Sequence, residues 1–155
     1  MPPNSDIIIV DTSCLILLNK VDEMELLNRV ASGVLITALI KNEYGRPLPK
    51  WIKVTEPENY RYQELLKAEL DEGEASIIAL SLEKEKSVLI LDELKGRKVA
   101  DRLNLRYSGT LGLILRAKQV GIIESVRPIL NKIGSTNFRF SDCLLETVLD
   151  EAGEK

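Results

Sequence analysis

Two stretches of the sequence place acidic side chains directly after short apolar runs. Asp11 follows residues 7–10, and Asp92 and Glu93 follow residues 88–91. Runs of four apolar β-formers are typical of strands buried on both faces, as in the centre of a parallel sheet. Because ligands of open α/β sheets gather beyond the carboxyl ends of the strands, the two stretches predict a cation site at one edge of the sheet.

Two further acids could join this site. Glu43 lies three and four residues after Ile40 and Leu39, on the helix face that we expect to pack against the sheet. A carboxylate on such a face needs a partner, since burying it alone is costly, although at a helix end it could also reach water. Glu74 follows Gly73 in the first turn of a predicted helix.

Each acid, taken singly, also has a structural explanation. Asp11 and Asp92 could cap the helices that follow them, and the helix macrodipole favours an acid at Glu74. Four carboxylates near one edge would, however, repel each other unless a cation neutralised them. Oxygen ligands without His or Cys favour one or two Mg²⁺ or Mn²⁺ ions, which can activate water and stabilise an in-line displacement at phosphorus.

Hydrophobic periodicity and capping residues predict the elements that position these acids. Strands are predicted at residues 7–10, 34–36, 49–54, 88–91 and 105–108, the third near an edge of the sheet. Helices are predicted from a cap at Thr12 or Ser13 to about Leu18, at 22–30 before Gly33, at 38–44 after Thr37, and at 57–70, 75–82, 93–102 and 111–119. Two more helices follow, one with Pro128 near its start and one capped by Ser141 with Leu144, Leu145, Val148 and Leu149 facing inward.

This alternation with short connections predicts a three-layer α/β/α sandwich with a mainly parallel sheet of about five strands. The 155 residues suffice for one domain, with its core at about 7–149. The chain is 45% hydrophobic and 29% charged, as in soluble globular proteins. No apolar run approaches the ~20 residues of a membrane span. The first six residues lack the features of a secretory signal, so we expect a cytoplasmic protein.

The absence of histidine limits the possible chemistry. Ser-His-Asp and Cys-His catalysis and His-ligated zinc are excluded, and no Gly-x-Gly-x-x-Gly motif follows the first strand. Cys14 and Cys143 have apolar neighbours, which predicts two buried free thiols. A haloacid-dehalogenase-type phosphotransferase is disfavoured because Ser13 stands where its second Asp would be expected.

Positive charge is concentrated in one part of the chain. The formal net charge is −3, yet residues 84–118 contain nine Lys or Arg against four Asp or Glu. Within this segment, Lys95, Arg97 and Lys98 follow Asp92 in a single predicted helix. They could bind phosphate beside the metal, or they could form an ordinary solvated helix face.

The order of these motifs resembles that of PIN domains. The motifs are Ile-Ile-Ile-Val-Asp-Thr-Ser, a helix Glu, Gly-Glu-Ala before Ile-Ala-Leu, and Leu-Ile-Leu-Asp-Glu before Gly-Arg. Residues 109–112 and the stretch that follows them are similar to a largely uncharacterised prokaryotic subgroup. The resemblance extends from Ile7 to about Leu149. It implies an α/β/α sandwich and a metal-dependent nuclease, mostly acting on RNA, with many prokaryotic members being VapC-type toxins.

The resemblance also implies roles for individual residues. It assigns catalysis and the binding of Mg²⁺ or Mn²⁺ to Asp11, Glu43, Glu74 and Asp92. The family commonly has Asp at the third position, so Asp71 and Glu72 remain alternatives to Glu74, and Glu93 remains an alternative to Asp92. The residues expected to contact nucleic acid are Thr12, Ser13, Lys95, Arg97, Lys98 and Thr110.

The partners expected from the resemblance are an RNA substrate, an antitoxin protein and a second copy of the chain in a homodimer. The alternative interpretation is a non-catalytic PIN-like module that binds nucleic acid or protein, in which the acids serve only as helix caps.

Overall fold

The computed structural model describes residues 6–155, and five parallel strands form its sheet. The strands are β1 (Ile7–Val10), β2 (Gly33–Ile36), β3 (Ile52–Val54), β4 (Ser87–Ile90) and β5 (Tyr107–Ser108). Their order across the sheet is β3-β2-β1-β4-β5, so β3 lies at an edge, as predicted. Residues 1–5, on which the prediction about a secretory signal rests, lie outside the described residues.

Helices connect and flank the strands, which confirms the predicted α/β sandwich. They are α1 (Thr12–Lys20), α2 (Glu25–Val30), α3 (Ala38–Tyr44), α4 (Tyr60–Leu66), α5 (Glu72–Leu82), α6 (Leu94–Arg102), α7 (Thr110–Gln119), α8 (Arg127–Gly134) and α9 (Asp142–Glu151). None of the helices in residues 6–155 combines the length and the apolar character needed to cross a membrane.

The central strand β1 explains the apolar runs in the sequence. It pairs with β2 on one side and with β4 on the other, and Ile8, Ile9 and Val10 have no exposed surface. Val10 is in register with Ile90 of β4. Because parallel strands in register end at the same edge, the residues that follow β1 and β4 leave the sheet side by side.

Backbone conformation accounts for several differences from the predicted boundaries. The helix predicted from residue 22 begins only at Glu25, because Asp22 has a left-handed backbone (φ 57°) that a helix cannot contain. The strand predicted at 105–108 shrinks to Tyr107–Ser108 after the left-handed Asn104 (φ 57°). Strand β2 begins at Gly33, one residue earlier than predicted. Helix α1 is capped by Asp11 and not by Thr12 or Ser13.

The helix predicted at 57–70 is also shorter, because Asn59 caps α4 by accepting a hydrogen bond from the Arg61 N–H at 3.0 Å. Two predictions about burial are wrong. Cys14 is buried, but Cys143 is exposed. Leu144, predicted to face inward, is 43% exposed, whereas Leu145 beside it packs against the core and Val148 one turn later is buried.

The C-terminus is attached to the turn between α7 and α8 by the carboxylate of Glu154. It accepts hydrogen bonds from the Ser125 hydroxyl, from Lys118 Nζ at 2.9 Å and from the Val126 N–H at 2.8 Å. These hydrogen bonds, that from Ser125 first, lower the pKa of Glu154 to about 2. The charged form of this carboxylate therefore stabilises the fold.

We predict that Glu154→Gln lowers the melting temperature at pH 7. A group whose pKa is lowered on folding contributes stability above its unfolded pKa of about 4.5 and loses it as the pH falls towards 2. The difference between wild type and variant should therefore shrink between pH 5 and pH 3 in thermal denaturation. Glu151→Gln, at an exposed position of α9, is the control and should change little; an equal effect of both substitutions would contradict this role of Glu154.

Candidate functional site

Asp11 lies at the carboxyl end of β1 and is 7% exposed. Its Oδ1 accepts a hydrogen bond from the Thr12 N–H at 2.8 Å. Burial, opposed by this hydrogen bond and reinforced by the negative charges of Asp71, Glu43 and Glu93, raises the pKa of Asp11 to about 6. A carboxylate that caps a helix normally has a low pKa, so the cap alone does not explain the surroundings of Asp11.

Glu74 is the most deeply placed acid of the site, only 4% exposed in the first turn of α5. Its Oε2 is buried and has no hydrogen-bond partner among the described residues. Burial raises the pKa of Glu74 well above its usual range, and Asp71 and Asp11 add to the effect. Oε2 lies 2.8 Å from the position that a Cβ on Gly96 would occupy, so the glycine provides room for the carboxylate.

Glu43 comes from α3, near the end of the helix. Glu43 is exposed one residue before the last residue of the helix, Tyr44, so it reaches water, the alternative that its place at a helix end left open. It also shares the face of Ile40, because a Cβ on Gly73 would collide with Glu43 Oε1 and would lie 3.1 Å from Ile40 Cδ1. Partial burial raises the pKa of Glu43, and the charge of Asp71 contributes next.

Asp92 follows β4 and is held by Thr110 at the start of α7. Its Oδ1 accepts from the Thr110 N–H at 2.9 Å, and its Oδ2 accepts from the Thr110 hydroxyl at 2.6 Å. Arg97 lies beside it, with Nη2 3.9 Å from Oδ1 and Nε donating to the Leu91 carbonyl at 2.8 Å. A Cβ on Gly109 would stand 2.8 Å from Asp92 Oδ1 and would also collide with Arg97.

Glu93 has a different environment from its neighbour Asp92. It is the N-cap residue of α6, yet its exposed side chain makes no capping hydrogen bond. Its negative charge raises the pKa of both Asp11 and Glu74. The charge of Asp92 acts together with that of Asp11 on the buried Cys14 thiol, whose pKa is raised mainly by burial. The charge of Glu93 thus reaches both buried acids, whereas that of Asp92 acts on Cys14 beside Asp11.

Three glycines make this gathering of carboxylates possible. Each lies against one acid, and the pairs are Gly73 with Glu43, Gly96 with Glu74, and Gly109 with Asp92. Glycine within a helix costs roughly 0.5–1 kcal/mol relative to alanine. The glycines of α5 and α6 therefore indicate that space for the carboxylates matters more here than helix propensity.

The other predicted site residues divide into a buried and an exposed group. The Thr12 and Ser13 hydroxyls are buried and lack hydrogen-bond partners among the described residues, although Thr12 is close enough to lower the pKa of Glu43. Lys95 and Lys98 are exposed on α6. The hydrogen bonds between Thr110 and Asp92 join residues 18 positions apart, and no sequence pattern predicts them. The sequence predicts Thr110 only as a contact to nucleic acid.

The side chains of these acids are carboxylates, which are ligands that divalent cations such as Mg²⁺ and Mn²⁺ prefer. No group of three or more Asp, Glu or Cys side chains in residues 6–155 has a geometry that could hold a metal ion as it stands. The unpartnered buried Oε2 of Glu74 and the raised pKa of Asp11 nevertheless show an uncompensated concentration of negative charge. Hard oxygen donors of this kind fit Mg²⁺ or Mn²⁺, so the residues present are compatible with such an ion.

We predict that the metal-free protein becomes less stable as the pH rises from 5 to 8. An acid whose pKa is raised on folding does not lower the free energy of unfolding at a pH below its unfolded pKa. As the pH rises from the unfolded pKa through the folded pKa, the free energy of unfolding falls. For Asp11 this window runs from 3.8 to about 6, and Glu74 extends it upward. Thermal denaturation in EDTA measures the effect.

The substitution Asp11→Asn should keep the cap of α1 and raise the melting temperature at pH 8 more than at pH 5. Asp150→Asn, at an exposed position of α9, is the matched control and should leave the pH dependence unchanged. A wild-type protein that is most stable at pH 8 in EDTA would contradict the arrangement of charges described above.

Comparison with known proteins gives one result of consequence. A family model described as a PIN domain matches residues 7–154, nearly the whole chain. A search of curated proteins returned no match.

Proposed function

The chain belongs to the PIN-domain family, whose members are generally nucleases, and we propose that it is a Mg²⁺- or Mn²⁺-dependent endoribonuclease. The observation that carries the proposal is the pair of buried acids Asp11 and Glu74. The pKa of Asp11 is raised to about 6, and Oε2 of Glu74 has no hydrogen-bond partner among the described residues. Two such groups side by side are costly unless a cation binds them.

The proposed metal ligands are Asp11, Glu43, Glu74 and Asp92, with Glu93 as a further candidate. When bound, the cation would neutralise these acids, polarise a phosphodiester and supply an activated water for its hydrolysis. Glu74 and Asp11 are buried and would supply its protein-side ligands. Glu43 and Glu93 are exposed and would supply ligands that solvent and substrate can reach.

Thr110 and Arg97 would prepare the site for the substrate. Thr110 uses its N–H and its hydroxyl to orient Asp92, and each oxygen of that carboxylate keeps a lone pair for a ligand. The guanidinium of Arg97 is fixed by the Leu91 carbonyl and lies 5.5 Å from the centre of the Tyr107 ring. Its remaining N–H groups can bind a phosphate oxygen next to Asp92.

The basic face of α6 supports a nucleic-acid substrate. Lys95 and Lys98 are exposed there and line an open cavity of about 670 Å³, whose other charged residues are Asp101 and the ion pair of Arg102 with Glu69 at 2.6 Å. Both lysines follow Glu93 on the same helix, so a strand bound along them would lead to the acids. We propose that Lys95 and Lys98 neutralise backbone phosphates. We also propose that the buried hydroxyls of Thr12 and Ser13 lie beneath the acids.

We further propose that the protein is a cytoplasmic toxin that pairs with an antitoxin and forms a homodimer. Two large apolar side chains that are exposed to solvent support a protein partner. Leu65 of α4 is 72% exposed and Leu94 of α6 is 67% exposed.

We predict that Asp11→Asn and Asp92→Asn each abolish metal-dependent cleavage of single-stranded RNA without unfolding the protein. Loss of one carboxylate ligand should reduce the cleavage rate by at least two to three orders of magnitude, as removal of one charge-stabilising group typically does. Cleavage of a fluorescent RNA in Mn²⁺ measures this, with circular dichroism as the check on folding. Asp150→Asn serves as the control and should cleave normally.

Full cleavage by either purified variant would overturn the mechanism. A wild-type protein whose melting temperature does not respond to Mn²⁺, and which cleaves no RNA, would favour the non-catalytic binding module.

We also predict that Gly96→Ala weakens Mn²⁺ binding by at least tenfold. Alanine favours the helix, but its Cβ would stand 2.8 Å from Glu74 Oε2 and 2.9 Å from Leu91 Cδ2, so the carboxylate must move. Isothermal titration calorimetry measures the affinity. Gly134→Ala is the matched control in α8, because no described atom lies within 4 Å of its added Cβ. Equal affinities of the two variants would show that Glu74 does not bind the ion.

A further inference from the structure

An open cavity of about 400 Å³ lies beside the edge strand β5. It is lined by Val88, Leu105, Arg106, Tyr107, Gly112 and Arg116, with Ser108 and Gln119 completing it. Among the described residues, no Asp or Glu lines the cavity. Its walls therefore combine apolar surface, one aromatic ring and two guanidinium groups.

Arg116 is the residue that sets the character of the cavity. Its Nε is buried and has no hydrogen-bond partner among the described residues, and the guanidinium forms no ion pair with any of them. An atom covered this deeply cannot itself contact a molecule in the open cavity, so the donors that Arg116 offers there are its Nη groups, for which no acceptor is present among the described residues. A permanently charged donor next to a cavity calls for an anion.

Arg106 adds a second guanidinium group to the lining of the cavity. Its Nη2 is 3.2 Å from Oδ1 of Asp6, which is buried, while the Arg106 side chain is 46% exposed. An arginine has five N–H donors, so this ion pair leaves donors for a further acceptor. Gly112 and Ser108 lie against each other in the lining, and a Cβ at position 112 would collide with the Ser108 hydroxyl.

The cavity is distinct from the acidic site. Helix α7 is ten residues long, about 15 Å at 1.5 Å per residue. Thr110 at its start holds Asp92, and the cavity extends along the helix from Gly112 to Arg116 and Gln119 in the last turn. Tyr107 borders both, because it lines the cavity and Arg97 of the acidic site is 5.5 Å from the centre of its ring.

We propose that this cavity binds the phosphate group of a nucleotide. The two guanidinium groups bind the phosphate, and Leu105, Tyr107 and the Gln119 amide provide an apolar and hydrogen-bonding surface for the nucleoside. A volume of about 400 Å³ is within the range of small-ligand sites and suits a single nucleotide. The phosphate belongs either to a free mononucleotide or to the end of an RNA strand. The proposal does not rest on nuclease activity, because no acid of the other site takes part in it.

Isothermal titration calorimetry in EDTA tests the proposal with three probes: 5′-AMP, inorganic phosphate and adenosine. We expect one 5′-AMP per chain, competition by inorganic phosphate and no binding of adenosine alone. Arg116→Gln should weaken 5′-AMP binding by at least tenfold. Lys53→Gln removes one positive charge from β3 at the opposite edge of the sheet and should change the affinity less than twofold.

A second variant keeps the test decisive if Arg116→Gln does not fold. Gln119→Glu places a negative charge at an exposed position of the cavity wall and should also weaken 5′-AMP binding. No binding of 5′-AMP by the wild type, or equal binding by wild type and Gln119→Glu, would overturn the proposal. Because EDTA prevents metal-dependent cleavage, a failure of the nuclease proposal leaves these results unchanged.

A comparison of ligands identifies the source of the phosphate. If an RNA strand is the natural ligand, a tetranucleotide with a 5′-phosphate binds more tightly than 5′-AMP, and Arg116→Gln weakens both by a similar factor. If a free nucleotide is the ligand, 5′-AMP binds more tightly than the tetranucleotide. A tetranucleotide that binds equally well with and without its 5′-phosphate, while 5′-AMP does not bind, would overturn the proposal.

Discussion

The repulsion between carboxylates held out of water is the constraint on which the rest of the site depends. The register of β1 with β4 places Asp11 beside the chain that leaves β4, and the first turn of α5 brings Glu74 to the same point. Glycines of α5 and α6 then remove the side chains that would otherwise keep the acids apart. The fold thus stores a local excess of negative charge that a divalent cation can relieve, at the edge of the sheet where parallel α/β folds bind ligands.

The central part of the fold could be predicted from the sequence, because burial on both faces leaves an unmistakable pattern. Residues 7–10 and 88–91 are apolar without interruption, and α3 has a strong cap at each end, with Thr37 before it and a left-handed Gly45 after it. Element boundaries were less predictable, since they depend on single backbone conformations. Asp22 and Asn104 adopt left-handed conformations that their residue types permit but do not require.

The candidate site shows the same division between local and long-range information. Local patterns identified the strand-end acids and Glu74, because each follows a recognisable strand end or helix start. The contact between Thr110 and Asp92 joins residues 18 positions apart, and the fit of Glu74 against Gly96 joins two helices. Neither leaves a periodic signal in the sequence. The sequence leaves open whether Asp92 or Glu93 is the metal ligand. In the structure, Thr110 holds Asp92, whereas Glu93 is exposed and its charge raises the pKa of Asp11 and Glu74.

The most direct measurement for the central claim is a crystal structure of the wild-type protein soaked in Mn²⁺, with anomalous diffraction to locate the ion. The account predicts an anomalous peak about 2.1 Å from carboxylate oxygens of both Asp11 and Glu74, the latter through Oε2. A fully soaked crystal with no peak at these two residues, or with Mn²⁺ bound only elsewhere on the surface, would contradict it.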